Sequence, residues 1–226
     1  KDDLLIACSR YCGKIYTVTS SLNNTWSINE LSSVLNQPTS LYLSDIDGDS
    51  DKDILAANYR DNGEIVYFER EANDEYSGPY LIVPDYYGAK SVKAHDFDKD
   101  GDEDIVFASS YNHEVSLKRN LGQGTFSSNT ETLSEEAWGV IDLVLVDYNQ
   151  DGWMDIFAIA QNSGELAYFE NINGQFGPKN IIFNEEGYLR DVVIVDYDSD
   201  GDLDFIAATS RNAGIFLYQT EGDSLQ

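Results

Sequence analysis

Apolar residues along this chain come in short runs separated by acidic or Gly/Asn-bearing turns, with no helical periodicity between them. The stretch D-I-L-A-A-N-Y from Asp53 is mostly apolar, ends in polar residues and reads as a buried strand. R-D-N-G follows, and Asn-Gly between two apolar runs is a strong hairpin signal. G-E-I-V-Y-F-E-R gives a third run, P-Y-L-I-V-P a fourth, and A-K-S-V-K-A-H leads into the next acidic turn. The G-E-I-V-Y-F segment has counterparts in G-K-I-Y-T-V, H-E-V-S-L-K, G-E-L-A-Y-F and G-I-F-L-Y-Q. The pattern therefore predicts four short antiparallel strands per unit of about 50 residues.

The acidic turns repeat with the strands. D-F-D-K-D-G-D-E-D-I (Asp96–Ile105) is matched by D-I-D-G-D-S-D-K-D-I from Asp45, D-Y-N-Q-D-G-W-M-D-I from Asp147 and D-Y-D-S-D-G-D-L-D-F from Asp196. Their first residues lie 51, 51 and 49 apart. Oxygen ligands at alternate positions on a tight turn suit calcium, which accepts six to eight oxygens, whereas zinc prefers the His and Cys that these loops lack. The expected ligand positions are 1, 3, 5, 7 (through its carbonyl) and 9. They comprise Asp45, Asp47, Asp49, Asp51 and Asp53; Asp96, Asp98, Asp100, Asp102 and Asp104; Asp147, Asn149, Asp151, Trp153 and Asp155; and Asp196, Asp198, Asp200, Asp202 and Asp204. About four calcium ions are expected. Gly101, Gly152 and Gly201 at position 6 suit a turn with positive φ. The first loop has Gly48 at position 4 and Ser50 at position 6, which predicts a strained or altered turn that should still bind. An EF-hand is excluded because position 12 is Ala56, Phe107, Ala158 or Ala207, and a strand follows where a helix should. Counting acids alone, the loop at Asp147 is the weakest of the three with Gly at position 6.

Charge sharpens this picture. The chain carries 14 Lys+Arg against 41 Asp+Glu, a formal net charge of −27. Nineteen of those acids sit in the four loops, so four dications would bring the charge to −19. So acidic a surface argues against nucleic acid or an anionic membrane as a direct partner, and no apolar run is long enough for membrane insertion. The metal-free state is expected to be much the less stable one. Such calcium sites fit an extracellular or cell-surface location. The opening K-D-D-L-L aligns with the tail of a fifth loop, so the lack of a leader says nothing about localisation. Cys8 and Cys12 flank S-R-Y in an expected hairpin; a local disulfide is expected, with two free thiols as the alternative.

Four antiparallel strands per repeat, each sheet too small to bury its own faces, predict an all-β fold of β-propeller blades. The loops, together with N-I-N-G-Q-F-G-P (Asn171–Pro178) and L-G-Q-G-T-F (Leu121–Phe126), resemble the FG-GAP/VCBS repeats of integrin-α-like β-propellers. That resemblance implies that each acidic loop joins the innermost strand of a blade to the second. The innermost strands are then Ser40–Ser44, Ala89–His95, Val140–Val146 and Asp191–Val195. With this phasing the chain is one propeller domain, or the C-terminal part of one, with units near 1–50, 51–101, 102–152, 153–201 and 202–226. Three blades are complete and two partial, as part of a seven-bladed ring or as a five-bladed ring.

The edge opposite the acidic loops is expected to gather Tyr59, Tyr87, Tyr111, Trp138 and Tyr188, with Tyr87, Trp138 and Tyr188 in matching places. Exposed aromatics beside Arg residues suit a protein or glycan partner; packing between blades is the alternative. His95 and His113 have no acid or nucleophile at a motif spacing, so no catalytic residue is assigned and the chain is not read as an enzyme. The leading function is a calcium-stabilised module for adhesion or recognition. One alternative is a structural subunit of a filament or surface assembly, through self-assembly or completion of the ring by another segment. An enzyme domain resembling those of polysaccharide lyases or phospholipases is another.

Overall fold

The computed structural model describes residues 4–8, 13–20, 25–32, 35, 37–60, 63–73, 75–184, 188–211, 214–221 and 224–225. All-antiparallel sheets follow one another along the chain, each built from strands consecutive or nearly so. The first blade holds β1 (Leu4–Cys8), β2 (Lys14–Ser20) and β3 (Trp26–Ser32). The second comprises β4 (Pro38–Ser44), β5 (Asp53–Asn58), β6 (Glu64–Arg70) and β7 (Tyr76–Val83). The third comprises β8 (Ala89–His95), β9 (Asp104–Ser109), β10 (Glu114–Lys118) and β11 (Glu131–Ser134). In the fourth, β12 (Val140–Val146), β13 (Asp155–Ala160) and β14 (Glu165–Phe169) pair in order. A hairpin of β15 (Asn171–Ile172) and β16 (Gln175–Phe176) comes next, before β17 (Asn180–Asn184) closes the sheet. The last blade has β18 (Leu189–Val195), β19 (Asp204–Thr209) and β20 (Gly214–Tyr218), followed by a hairpin of β21 (Thr220–Glu221) and β22 (Ser224–Leu225). These are β-propeller blades in tandem. Two innermost strands have the expected bounds; the other two start earlier, at Pro38 and Leu189.

The core lies between blades, not within them. Four buried clusters alternate with the sheets. One example joins Val106, Ala108, Val115 and Leu117 of the third blade to Leu143, Ile156, Ala158 and Phe169 of the fourth. Second strands are therefore covered on both faces: β5, β9 and β13 are buried at every residue, which is why they are almost uninterruptedly apolar. β19 is as apolar in sequence, yet it alternates between buried and half-buried positions, because one of its faces is covered and the other is not.

All four innermost strands carry a β-bulge one residue from their start. Thr39, Lys90, Ile141 and Arg190 are the extra residues, skipped in the pairing with the second strand. A bulge bends the strand and re-aims the side chain it carries. Antiparallel alternation then puts the loops joining strands 1–2 and 3–4 at one edge of the blades, and those joining 2–3 and 4–1 at the other.

Candidate metal centres

Each acidic loop is closed by its own carboxylates accepting backbone N–H groups. Position 1 accepts from position 6 in all four: Asp45 from Ser50 (3.1 Å), Asp96 from Gly101 (3.1 Å), Asp147 from Gly152 (2.9 Å) and Asp196 from Gly201 (3.3 Å). Position 3 accepts from position 5, and position 5 from position 7, in every loop. This winding requires positive φ at both positions 4 and 6. Three loops put Gly at position 6 and Lys99, Gln150 or Ser199 at position 4; the first puts Gly48 at 4 and Ser50, at φ 79°, at 6. The expected strain in the first turn falls on Ser50, a non-glycine residue in the left-handed region. The turn winds the same way with the glycine at the other of two demanding positions, although Asp45 Oδ1 accepts the position-4 N–H where Asp96 and Asp147 accept that of position 5.

The winding draws carboxylates together. Asp45, Asp47 and Asp49 converge, as do Asp96, Asp98 and Asp100, and Asp196, Asp198 and Asp204, each set with oxygens within 4.8 Å of one another. At Asp147 the group is mixed, with Asn149 donating to Asp151 at 3.2 Å. Oδ1 of Asp51 and Oδ1 of Asp196 are buried and accept no hydrogen bond, as oxygens aimed at a cation would be. Hard oxygen donors, orphaned oxygens and like-charge crowding all fit calcium. Several of the loops can hold a metal ion.

Position 9 has a further role. Asp53, Asp104, Asp155 and Asp204 are buried at the start of each second strand, and each accepts an N–H from the end of its third strand or two residues past it, from Arg70, Asn120, Asn171 and Thr220 at 2.8–2.9 Å. Asp53, Asp155 and Asp204 use the second oxygen for the position-2 N–H of their own loop. Asp104 uses it for Arg119, whose Nη1 lies 2.6 Å away. Burial pushes Asp53 and Asp104 up to about 6 and raises Asp155, whereas the Thr220 and Tyr197 N–H groups hold Asp204 below the usual carboxylate range. Position 9 latches the loop to the blade. Only Asp204 also joins a convergent group, among the described residues.

Sequence reading missed the partners of these loops. Asn120 Nδ2 reaches Ile46 O (2.8 Å) in the preceding blade's loop, and Asn171 Nδ2 reaches Phe97 O (2.9 Å) in the same way. The glycines after them let the turn lie flat on that loop: a Cβ on Gly174 would stand 2.9 Å from the Asp98 Cβ. The signal was present in N-L-G-Q-G-T-F and N-I-N-G-Q-F, but nothing in the sequence says which loop the Asn would reach.

At the opposite edge the 4–1 loops meet the 2–3 hairpins. Tyr111 is 53% exposed and stacks on Tyr87 (centroids 4.9 Å apart), with Tyr59 at 5.5 Å and Lys90 Nζ 4.9 Å from the Tyr59 ring. Trp138 is 54% exposed, its ring 4.4 Å from that of His113, whose Nδ1 accepts the Gly139 N–H. Arg211 lies 5.6 Å from the Tyr188 ring. One expectation is corrected here: Tyr188 does not match Tyr87 and Trp138. Its carbonyl accepts from Ser210, as those of Gly88 and Gly139 accept from Ser110 and Gln161. Tyr188 occupies the glycine place at φ 57°, standing eight residues before its loop's first Asp as Gly88 and Gly139 do, whereas Tyr87 and Trp138 stand nine before theirs. Cys12 falls outside the described residues, so the disulfide expectation does too; Cys8 ends β1.

Among the described residues, no helix is long and apolar enough to cross a membrane. No curated relative matches the chain. Among solved structures, it resembles a Bacteroides uniformis protein assigned as a 6-phosphogluconolactonase (12% identity, TM-score 0.67, covering 99% of this chain and 66% of that one). It also resembles the periplasmic gluconolactonase of Pseudomonas aeruginosa (11%, 0.63, 97% and 64%) and the fucose-specific lectin of Aleuria aurantia (12%, 0.58, 99% and 73%). At such identities these likenesses establish the fold alone, and the chain spans under two thirds of the first two. The FG-GAP-like repeat matches residues 45–107, 96–158 and 147–207, which are the acidic loops and their flanking strands. With its loops, latches and blades in that register, the chain belongs to the family of FG-GAP-like repeat proteins.

Proposed function

We propose that this chain is a calcium-stabilised β-propeller binding module of an extracellular or periplasmic protein, which recognises a protein or carbohydrate partner with the edge opposite its acidic loops. One observation carries the reading: exposed aromatic rings and cations are gathered at the edge away from the carboxylates. Tyr59, Tyr87 and Tyr111 lie with the Lys90 ammonium, Tyr188 with the Arg211 guanidinium, and Trp138 against the His113 ring. Aromatic faces beside cations suit sugar rings and protein side chains alike. Calcium would be held by Asp45, Asp47 and Asp49 and their counterparts, supplying the positive charge that lets the loops stay wound. The test is an array of oligosaccharides and matrix proteins probed with calcium-loaded protein. Trp138→Ala and Tyr87→Ala should each lose binding while keeping calcium affinity. Ligands that bind all variants equally would refute this edge as the site. Two neighbours carry lactonase names, so turnover of a sugar lactone, if seen, would move the function from binding to catalysis.

A second reading, completion of the propeller by another segment or a second copy, is favoured by one face. Val144, Val146, Tyr148, Leu166 and Tyr168 of the fourth blade pack against the fifth. Their counterparts Val193, Val195, Tyr197, Ile215 and Leu217 are exposed, Ile215 by 79%. Light scattering would show self-association if a second copy covers this face.

A further inference from the structure

The residue at the end of each third strand or one past it, just before the N–H held by position 9, differs from blade to blade: Glu69, Arg119, Glu170 and Gln219. In three blades this residue meets the position-3 side chain of the loop. Asn149 Nδ2 donates to Glu170 Oε1 at 3.1 Å, and Gln219 Nε2 donates to Asp198 Oδ2 at 2.8 Å. Arg119 Nη1 lies 3.5 Å from Asp98 and 2.6 Å from the buried Asp104, while its Nη2 donates to Gly174 O of the next blade at 2.6 Å. The chemistry at this place thus runs from anion through amide to cation, against loops of nearly constant backbone.

We propose that the strand-end residue sets the calcium affinity of each loop, with Glu170 supplying the carboxylate that Asn149 lacks and Arg119 acting as a resident cation that calcium must displace from Asp98 and Asp104. This rests on the reading of the loops as calcium sites, and it reorders them. The loop at Asp147, poorest in acids, gains one from the strand. The loop at Asp96, richest in acids, already holds a guanidinium hydrogen-bonded to Asp104 and ion-paired with Asp98, and becomes the weakest. A unit charge a few ångströms from a dication changes its binding by about tenfold even when solvent screens it strongly.

Calcium titration calorimetry of the whole chain tests this. Arg119→Gln, which copies the residue of the last blade, should tighten one site by about tenfold, and Arg119→Lys should leave it weak. Glu170→Gln should weaken one site by about tenfold, and adding Asn149→Asp should restore it by returning the carboxylate to the loop. Glu170 is half-buried and has no partner in the core, so its variants keep the test open if Arg119→Gln, which uncovers Asp104, does not fold. Wild-type protein that binds no calcium would overturn the calcium reading and this inference with it. Wild-type protein that binds calcium, with unchanged affinities in Glu170→Gln, would overturn the inference alone.

Discussion

The two edges of the blades share a backbone plan and differ in how side chains use it. At the acidic edge the same bond from position 6 to position 1 recurs in four loops, and the same latch from position 9 recurs beneath it. At the opposite edge the backbone bonds also recur, as in Ser110 N–H to Gly88 O, Gln161 to Gly139 and Ser210 to Tyr188. Yet the side chains on them are Tyr111, Asn162 and Arg211 in corresponding places. Chemistry repeated blade after blade meets a demand common to all blades, here charge and chain closure. Chemistry that varies on a constant backbone is free to meet something outside the fold.

If that contrast holds, the largest effect comes from removing metal. Chelation should lower the melting temperature by more than about 10 °C, since several sites each favour the folded state. A melting curve that does not move would erase the functional reading of the acidic edge. Next in size is Asp155→Ala, which strands the N–H groups of Tyr148 and Asn171 and the Tyr168 hydroxyl. A loss of about 3 kcal/mol in urea unfolding is expected, at the upper end for buried groups left without acceptors. Asn171→Ala cuts the bond to the Phe97 carbonyl in the preceding loop and should cost about 2 kcal/mol in the same assay.

At the other edge the costs should be small. Trp138→Ala removes a half-exposed ring stacked on His113, so less than about 1 kcal/mol is expected. A loss of 3 kcal/mol or more would make Trp138 a packing residue and collapse the contrast. Smallest of all is Tyr188→Gly. Relief of the left-handed conformation, offset by the lost Arg211 contact, should raise stability by about 0.5 kcal/mol. A clear drop in stability would show that the Tyr188 ring is needed by the fold itself.

Much of the acidic edge was legible because a loop's bonds run between near neighbours in sequence: D-x-D-x-D-G encodes its own winding. Even the exception at Gly48 follows from local backbone strain, once two positive-φ positions are recognised instead of one. The β-bulges at Lys90 and Arg190 left no such mark, since a bulge is a relation between two strands. The place of Tyr188, by contrast, was legible in the sequence. Counted back from the first Asp, it stands at eight residues, the offset of Gly88 and Gly139, and Tyr87 and Trp138 stand at nine.

The sequence by itself determined the repeat, the strands, the wound acidic turns and their appetite for a hard cation, because period, alternation and ligand spacing are local properties. Only the tertiary structure decided which residues answer each other across blades. Asn171 finds a carbonyl 74 positions away, Arg119 reaches the turn at Gly174, and Val193 stays exposed where Val144 is covered. Those relations depend on how one twisted sheet lies against the next, a geometry set by the packing of whole faces and not by any single stretch of chain.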